Sequence, residues 1–321
     1  MEVIGLDIGH SAVKVATSQG RIIFPTAATK AINLPVPEAA AAAAIDTVTV
    51  NGGDAYFVGE TALIHSTANL LDGLTDEWIE TPEHLALLTA GYQRGLAATG
   101  EADAILVLGL PSRLHQRQYQ RLSDLAAAHL QIPRHRVRVL PQPLAAYMAA
   151  MLDEQGQPTE GRDMTVERWG VIDIGYYTTD FGLVERGVWS STFAKSAGGA
   201  NLIAQALRDR LYETHGAQLR LRACEDILRA KATKIMGKVV NCADLVEECT
   251  QEYSRRLAET ALQVFGDRFA DLDGVLLAGG AAGLIHAHLR KEWPHAVTVP
   301  EPRFIIAEGM RRYGLLRADG A

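Results

Sequence analysis

Two stretches of this chain place a carboxylate at the end of an apolar strand, one residue short of a glycine. The longer reads Gly170-Val171-Ile172-Asp173-Ile174-Gly175-Tyr176-Tyr177-Thr178-Thr179-Asp180-Phe181-Gly182-Leu183. Val171-Ile172 fits a buried strand, and Phe181 to Val184 favour a second one. A carboxylate between them is poorly solvated unless a cation or a hydrogen-bond donor meets it. Gly175 lets a backbone come close to a ligand, and Thr178 and Thr179 bring hydroxyl and N–H donors. The chemistry these types suggest is a phosphate loop beside a carboxylate that holds a hydrated metal ion; the alternative is an ordinary hairpin with one Asp.

The other stretch, Val3-Ile4-Gly5-Leu6-Asp7-Ile8-Gly9-His10-Ser11-Ala12-Val13-Lys14-Val15-Ala16, repeats the pattern. Asp7 aligns with Asp173 and Gly9 with Gly175, while Lys14 and Asp180 stand at the same offset from the leading Asp. A strand–loop–strand used twice at this separation implies two similar α/β domains facing each other, with two loops able to pinch one polyphosphate.

Stepping outward along the chain, Arg21 to Phe24 reads as a strand. Residues 31–44, rich in Pro and Ala, are either a short helix or a flexible insertion. Val48–Val50, the turn Asn51-Gly52-Gly53-Asp54 and Tyr56–Val58 form a hairpin. Residues 66–81 read as loop. Thr81-Pro82-Glu83 starts a helix whose His84 is expected on the surface or in the cap. Ala104–Leu110 is a buried strand, 114–130 a helix, and Val137–Leu140 a strand that Pro141-Gln142-Pro143 hands to a small-residue helix beginning just after Gln142. The polar stretch 153–168 marks the domain boundary. Beyond it, Gly187 to Phe193 continues the second sheet, and Gly198-Gly199-Ala200-Asn201 opens a helix at Leu202. Residues 221–268 are expected to be helical with one short break at Val239-Val240-Asn241. The strand Leu272–Ala278 then runs into Gly279-Gly280-Ala281-Ala282-Gly283 and a helix. Val297–Val299 and a helix over 302–312 close the chain.

The 321 residues allow two ordinary domains, and 48% hydrophobic with 21% charged content fits a globular protein. A net charge of −7 opposes direct nucleic-acid binding and a polybasic membrane surface. The sequence predicts neither a signal peptide nor a spanning helix. Cys224, Cys242 and Cys249 lack metal-ligand spacing and are expected as buried thiols in a reducing cytoplasm.

Taken in order, Asp7-Ile8-Gly9 with Lys14, Pro141-Gln142-Pro143-Leu144-Ala145-Ala146, Asp173-Ile174-Gly175 with Thr178-Thr179-Asp180, and Ala278-Gly279-Gly280-Ala281-Ala282 resemble the loops of the actin-type ATPases. With Tyr56-Phe57-Val58-Gly59, His84 to Gly91 and the short length, the chain is most similar to the ParM-type actins that segregate plasmids. The resemblance implies an actin-like α/β fold, a duplicated ribonuclease H-like architecture with a nucleotide cleft between two lobes. It places domain I at 1–165 with the return of 303–321, and domain II at 166–302. Two features depart from the family pattern: His10 stands where a small residue is usual, and Tyr176-Tyr177 replace the common Gly-Gly.

The resemblance further implies ATP or ADP with Mg2+ as cofactors. Asp7 and Asp173 would hold Mg2+ largely through water, and Lys14 would meet the β-phosphate. Backbone around Gly9, His10 and Ser11, and around Gly175, Tyr176, Tyr177 and Thr178, would cradle phosphate. Gln142 would orient the attacking water. Gly198, Gly199, Lys231, Gly279, Gly280, Ala281 and Gly309 would neighbour the nucleoside. Each has a plainer reading: Lys14 as a solvated strand residue, Gln142 as a helix start, Gly279-Gly280 as a strand–helix turn. The functions implied are an ATP-hydrolysing, cytoplasmic, head-to-tail filament for plasmid segregation, a small-molecule kinase of the same fold with Asp180 as base, or a non-hydrolysing nucleotide-gated scaffold or other bacterial actin. With DNA as cargo, a DNA-binding adaptor protein would carry the contact, and no membrane partner is expected.

Overall fold

The computed structural model describes residues 1–50, 52–66 and 77–318. Asn51 of the expected turn and residues 67–76 of the expected loop lie outside the described residues. The chain divides into two compact units, 1–165 with 303–321, and 166–302.

Unit 1 is built on β1 (Val3–Ile8), β2 (Ala12–Thr17) and β3 (Gly20–Pro25). A small lobe follows, with β4 (Ala28–Lys30), α1 (Pro37–Ala44), β5 (Thr47–Val50), β6 (Asp54–Val58) and α2 (Gly59–His65). Then come α3 (Pro82–Thr99), β7 (Ile105–Leu110), α4 (Ser112–Leu130), β8 (Val137–Pro141) and α5 (Gln142–Met151). The Pro/Ala stretch is therefore helical at α1, where Pro37 occupies the first turn. Five strands pair in the order β3-β2-β1-β7-β8, antiparallel through β3-β2-β1 and parallel through β1-β7-β8. β1 and β7 are buried almost throughout, as central strands covered on both faces must be.

The C-terminal helix, Ile305–Ala318, packs on α5 within this unit. Their backbones come so close that a Cβ on Gly309 would lie 1.6 Å from the Ala145 carbonyl oxygen. Arg312 Nη1 donates to the carbonyls of Ala149 (2.7 Å) and Leu152 (2.6 Å), two acceptors at the end of α5 that the helix itself leaves open. Glu308 is buried beside it. Burial raises its pKa, but the Arg21 hydrogen bond at 2.7 Å and the charges of Arg311, Arg21 and Arg312 outweigh that and hold the carboxyl below its ordinary value.

Unit 2 repeats the plan with β9 (Arg168–Ile174), β10 (Thr178–Glu185), β11 (Val188–Gly198), β14 (Gly274–Ala278) and β15 (Ala296–Thr298) in the order β11-β10-β9-β14-β15, with the same pattern of antiparallel and parallel neighbours. Its helices are α6 (Asn201–His215), α7 (Leu221–Ala230), α8 (Ala243–Phe265) and α9 (Ala282–Glu292). Between α7 and α8 the expected helical block is instead a hairpin of β12 (Ala232–Ile235) and β13 (Lys238–Asn241). Met236 and Gly237 both take positive φ, 48° and 85°, which is the turn geometry that matches strand twist. Thr233, Ile235, Val239 and Val240 supply β-branched side chains that disfavour the helix. Cys224, Cys242 and Cys249 are buried free thiols in the core of this unit.

His84 also departs from expectation. Thr81 does cap α3, its hydroxyl accepting the His84 N–H at 3.2 Å, but the His84 side chain is buried, edge-on to Trp78. At the third position of the helix it falls on the inward face with Leu85 and Leu88. Burial, assisted by the charge of His129, pushes its pKa down to about 4.

Gly309→Ala is expected to lower stability by about 3 kcal/mol in urea unfolding, because neither helix backbone can yield easily. Gly283→Ala on α9, where an added Cβ meets nothing, is expected to raise it by about 0.5 kcal/mol. Similar values for the two would show that the helix contact is looser than the geometry says. The ring of His84 binds a proton near pH 6.5 when unfolded and only near 4 when folded. Its contribution to stability is therefore complete above pH 6.5 and declines as pH falls from there to 4, by about 3 kcal/mol in total. Unfolding free energies measured across that range should lose this slope in His84→Phe; an undiminished slope would assign the titration to other groups.

Candidate functional site

Asp7 ends β1 as a buried residue with both carboxylate oxygens engaged. Lys14 lies opposite it in the β1–β2 register, and its Nζ is 2.9 Å from Oδ2. Gln142, the first residue of α5, donates from Nε2 to Oδ1 at 2.9 Å. An ionised carboxylate only accepts, so the amide must turn its NH2 group to Asp7 and leave Oε1 as an acceptor. Two strands and a helix start thus bring the three expected residues into one cluster. Pro141 and Pro143 flank Gln142 and narrow the backbone there.

The turn after Asp7 is held from one side. Gly9 N–H donates to Ala12 O at 3.2 Å, and Thr26, a buried residue just past β3, donates its hydroxyl to Gly9 O at 2.5 Å and its N–H to Ser11 O at 3.3 Å. Ser11 is exposed at the tip, and His10 is half-buried. Burial lowers the His10 pKa; the Asp7 charge pulls the other way, while Lys14 and Arg113 add to the lowering. Thr26 was not among the expected site residues. Its only mark in the sequence is a β-branched hydroxyl directly after the proline that ends a strand.

In unit 2, Asp173 at the end of β9 faces Asp180 across the β9–β10 register, where unit 1 has Asp7 facing Lys14. Like charges opposite each other destabilise a sheet unless donors or cations screen them. Asp180 accepts from Thr178 Oγ1 at 3.1 Å and Ser196 Oγ at 2.5 Å. The loop 175–178 is stapled to the start of α6: Ala200, Asn201 and Gly199 N–H groups donate to the carbonyls of Gly175, Tyr176 and Tyr177 at 2.8–2.9 Å. The approach is so close that a Cβ on Gly199 would meet Tyr176 O at 2.4 Å. Gly279, with φ of 86°, lies against the Asp173 carboxylate, and a Cβ there would be 2.5 Å from Oδ1. Ala281 N–H donates to Ile174 O at 3.3 Å, and Gly280 is exposed beside it. Asp173, Gly175, Thr178, Gly199, Gly279 and Ala281 are therefore neighbours. Gly198 abuts them, its carbonyl accepting the Tyr253 hydroxyl at 3.1 Å.

Tyr176 reaches out of this loop to α7, where its hydroxyl donates to Glu225 Oε1. Burial, together with that carboxylate, raises its pKa above the ordinary tyrosine value. Tyr177 packs edge-on against it, ring centroids 4.6 Å apart. Glu225 was not anticipated, since nothing in a helix of mixed charge singles out one acid. Lys231 is the exposed left-handed residue that ends α7, and Gly309 lies in the contact between α5 and the C-terminal helix, which accounts for a glycine there. Among the described residues no cluster of three or more His, Cys, Asp or Glu could cage a metal, and no helix is long and apolar enough to cross a membrane.

The family model of the actin-like protein N-terminal domain matches residues 5–144, and that of the C-terminal domain of MreB-like archaeal actin homologues matches 171–291. The fold is actin-like. This actin-like chain superposes on the archaeal actin homologue Ta0583 with a TM-score of 0.77 at 19% identity, covering 99% of this chain and 100% of that one. The same homologue is known in complex with ADP. A non-polymerisable quadruple mutant of pCBH ParM gives 0.71 at 16% identity over 99% of both chains. A 15-stranded ParM filament from Clostridium botulinum gives 0.70 at 16% over 98% of both. The sequence matches no curated protein. The likeness to the actin-like ATPase superfamily thus extends through both units.

The Tyr176–Glu225 contact can be tested alone. A double-mutant cycle with Tyr176→Phe and Glu225→Ala is expected to give a coupling of about 1 kcal/mol in unfolding free energy. Additive effects would show that the two side chains do not meet in solution.

Proposed function

We propose that this chain binds ATP with Mg2+, hydrolyses it, and assembles head to tail into a cytoplasmic filament, with plasmid segregation through a DNA-binding adaptor as its role. The observation that carries the reading is the buried Asp7 carboxylate holding Lys14 on one oxygen and Gln142 on the other. A carboxylate, a lysine and a glutamine in that order suit phosphoryl transfer to water, which depends on charge placement and an aligned nucleophile.

The residues fit the cofactors. With both oxygens of Asp7 already accepting hydrogen bonds, a cation beside it would be met through water, as Mg2+ prefers. When bound, Mg2+ would supply charge neutralisation on the phosphates. Lys14 Nζ, held by Asp7, is a fixed positive charge at the mouth of the first loop. The close backbones at Gly199 and Gly279 leave room for main chain where side chains would intrude. Gln142 cannot remove a proton; anchored through Nε2, it offers Oε1 to accept from a water and fix its direction. The kinase alternative loses support at Asp180, whose oxygens already take hydrogen bonds from Thr178 and Ser196. The structures of Ta0583 with ADP and of a ParM filament support nucleotide binding and self-association in the same way.

The test is light scattering with simultaneous phosphate release on adding ATP and Mg2+. Scattering that rises and later decays as phosphate appears fits the proposal. Phosphate release without scattering, or scattering without phosphate release, would replace it with a soluble phosphotransferase or a scaffold. Gln142→Ala is expected to bind ATP almost normally but to turn it over about ten- to a hundredfold more slowly, because a water-orienting group acts chiefly in the transition state. Its polymer should persist correspondingly longer. Wild-type turnover in that variant would reduce Gln142 to a helix-start residue.

A further inference from the structure

Two carbonyls of the first loop are taken by one residue outside it. Thr26 holds Gly9 O through its hydroxyl at 2.5 Å and Ser11 O through its N–H at 3.3 Å. A trans peptide points its C=O and its N–H in opposite directions. Fixing Gly9 O therefore turns His10 N–H away from Thr26, and fixing Ser11 O turns Ala12 N–H away as well. N–H groups aimed from one side of a tight loop make a concavity for an anion.

The loop also lacks half of an ordinary hairpin closure. Gly9 N–H donates to Ala12 O at 3.2 Å, but among the described residues the reciprocal bond, Ala12 N–H to Gly9 O, is not made. Directly opposed residues of this kind exchange both bonds in a regular antiparallel pair. Here the Thr26 hydroxyl draws Gly9 O out of the turn and leaves Ala12 N–H to a ligand. Lys14 Nζ stands over the same turn, so near that a Cβ on Gly9 would lie 2.8 Å from it. Thr26 is itself held in place. It is 3% exposed, Pro25 restricts the chain before it, and Ala27 N–H closes a tight turn on Pro25 O at 2.9 Å.

We propose that Thr26 is a positioning residue for the nucleotide, its hydroxyl keeping the first loop in the form that presents Ala12 N–H, with His10 N–H beside it, to a phosphate. The assignment rests on the nucleotide reading above and adds to it a residue that touches no phosphate itself. A histidine at position 10 fits this arrangement, because the loop uses its backbone.

Thr26→Val removes the hydroxyl at nearly constant volume, Thr26→Ala removes it with less bulk, and Thr26→Ser keeps it. Calorimetric titration of the full-length chain with MgADP is expected to give about tenfold weaker binding for Thr26→Val and Thr26→Ala, and binding within about twofold of wild type for Thr26→Ser. In steady-state phosphate release from MgATP, KM of the two hydroxyl-free variants should rise by a similar factor while kcat changes less than about threefold, since a phosphate held in the ground state is held throughout. Thr250→Val is the matched loss of a buried hydroxyl, bonded to Val246 O at 2.7 Å within α8, and should leave binding and KM unchanged. If wild type binds neither MgADP nor MgATP, the nucleotide reading falls and this assignment with it. If wild type binds and the hydroxyl-free variants bind as tightly, only the role of Thr26 is overturned. Thr26→Ser binding as weakly as Thr26→Val would overturn it in favour of packing by the methyl group. A loss confined to kcat would overturn it in favour of a part in the chemical step.

Discussion

A carboxylate placed inside a protein has to be answered by donors, and the way Asp7 is answered sets the architecture around it. One answer comes from the neighbouring strand and the other from the first residue of a helix more than a hundred positions away. Both require β1 to be central, with β2 on one side and β7 and β8 on the other, so that β8 delivers Gln142. The C-terminal helix then packs on α5, and Arg312 takes up the carbonyls at the end of α5 opposite to Gln142. Anchoring a helix at both ends fixes the direction in which its first side chain points.

Unit 2 uses the same strand order and register for a different electrostatic problem. Where Lys14 neutralises Asp7, Asp180 confronts Asp173, and hydroxyls from Thr178 and Ser196 share the burden. The offset between the leading Asp and its opposite number is the same in both halves, so the hairpin geometry is common while the sign of one residue differs. A fold built twice can keep its backbone and divide the roles of its loops.

What could be read from the sequence was what is local. Asp-Ile-Gly between two apolar runs announces a strand pair with a tight turn, and seeing it twice gave the fold. Lys14 was legible because its register partner is seven residues away. Thr26, Ser196 and Glu225 were not, since each meets its loop through a sheet edge or a helix that only the folded chain brings near. The β12–β13 hairpin escaped because its strands have four residues each, between two helices whose periodicity is far stronger. The burial of His84 is hidden in the sequence for a related reason: the cap at Thr81 is a local signal, but the inward face of α3 is decided by what packs on it.

Tyr176 and Tyr177 give the second loop a property that a pair of glycines would lack. A glycine loop wanders over many backbone states, and a ligand that orders it must overcome that entropy at the moment of binding. Here the ordering is done when the chain folds, through the Tyr176 hydroxyl on Glu225, the edge-on rings and three carbonyls tied to the start of α6. Such a loop is preorganised: if it receives a ligand as proposed, it would gain affinity by losing little freedom and give up the capacity to reshape itself around a ligand of different outline. Discrimination between ligands would then come from shape already present in the empty loop, and any adjustment would have to be made by α7 moving with it.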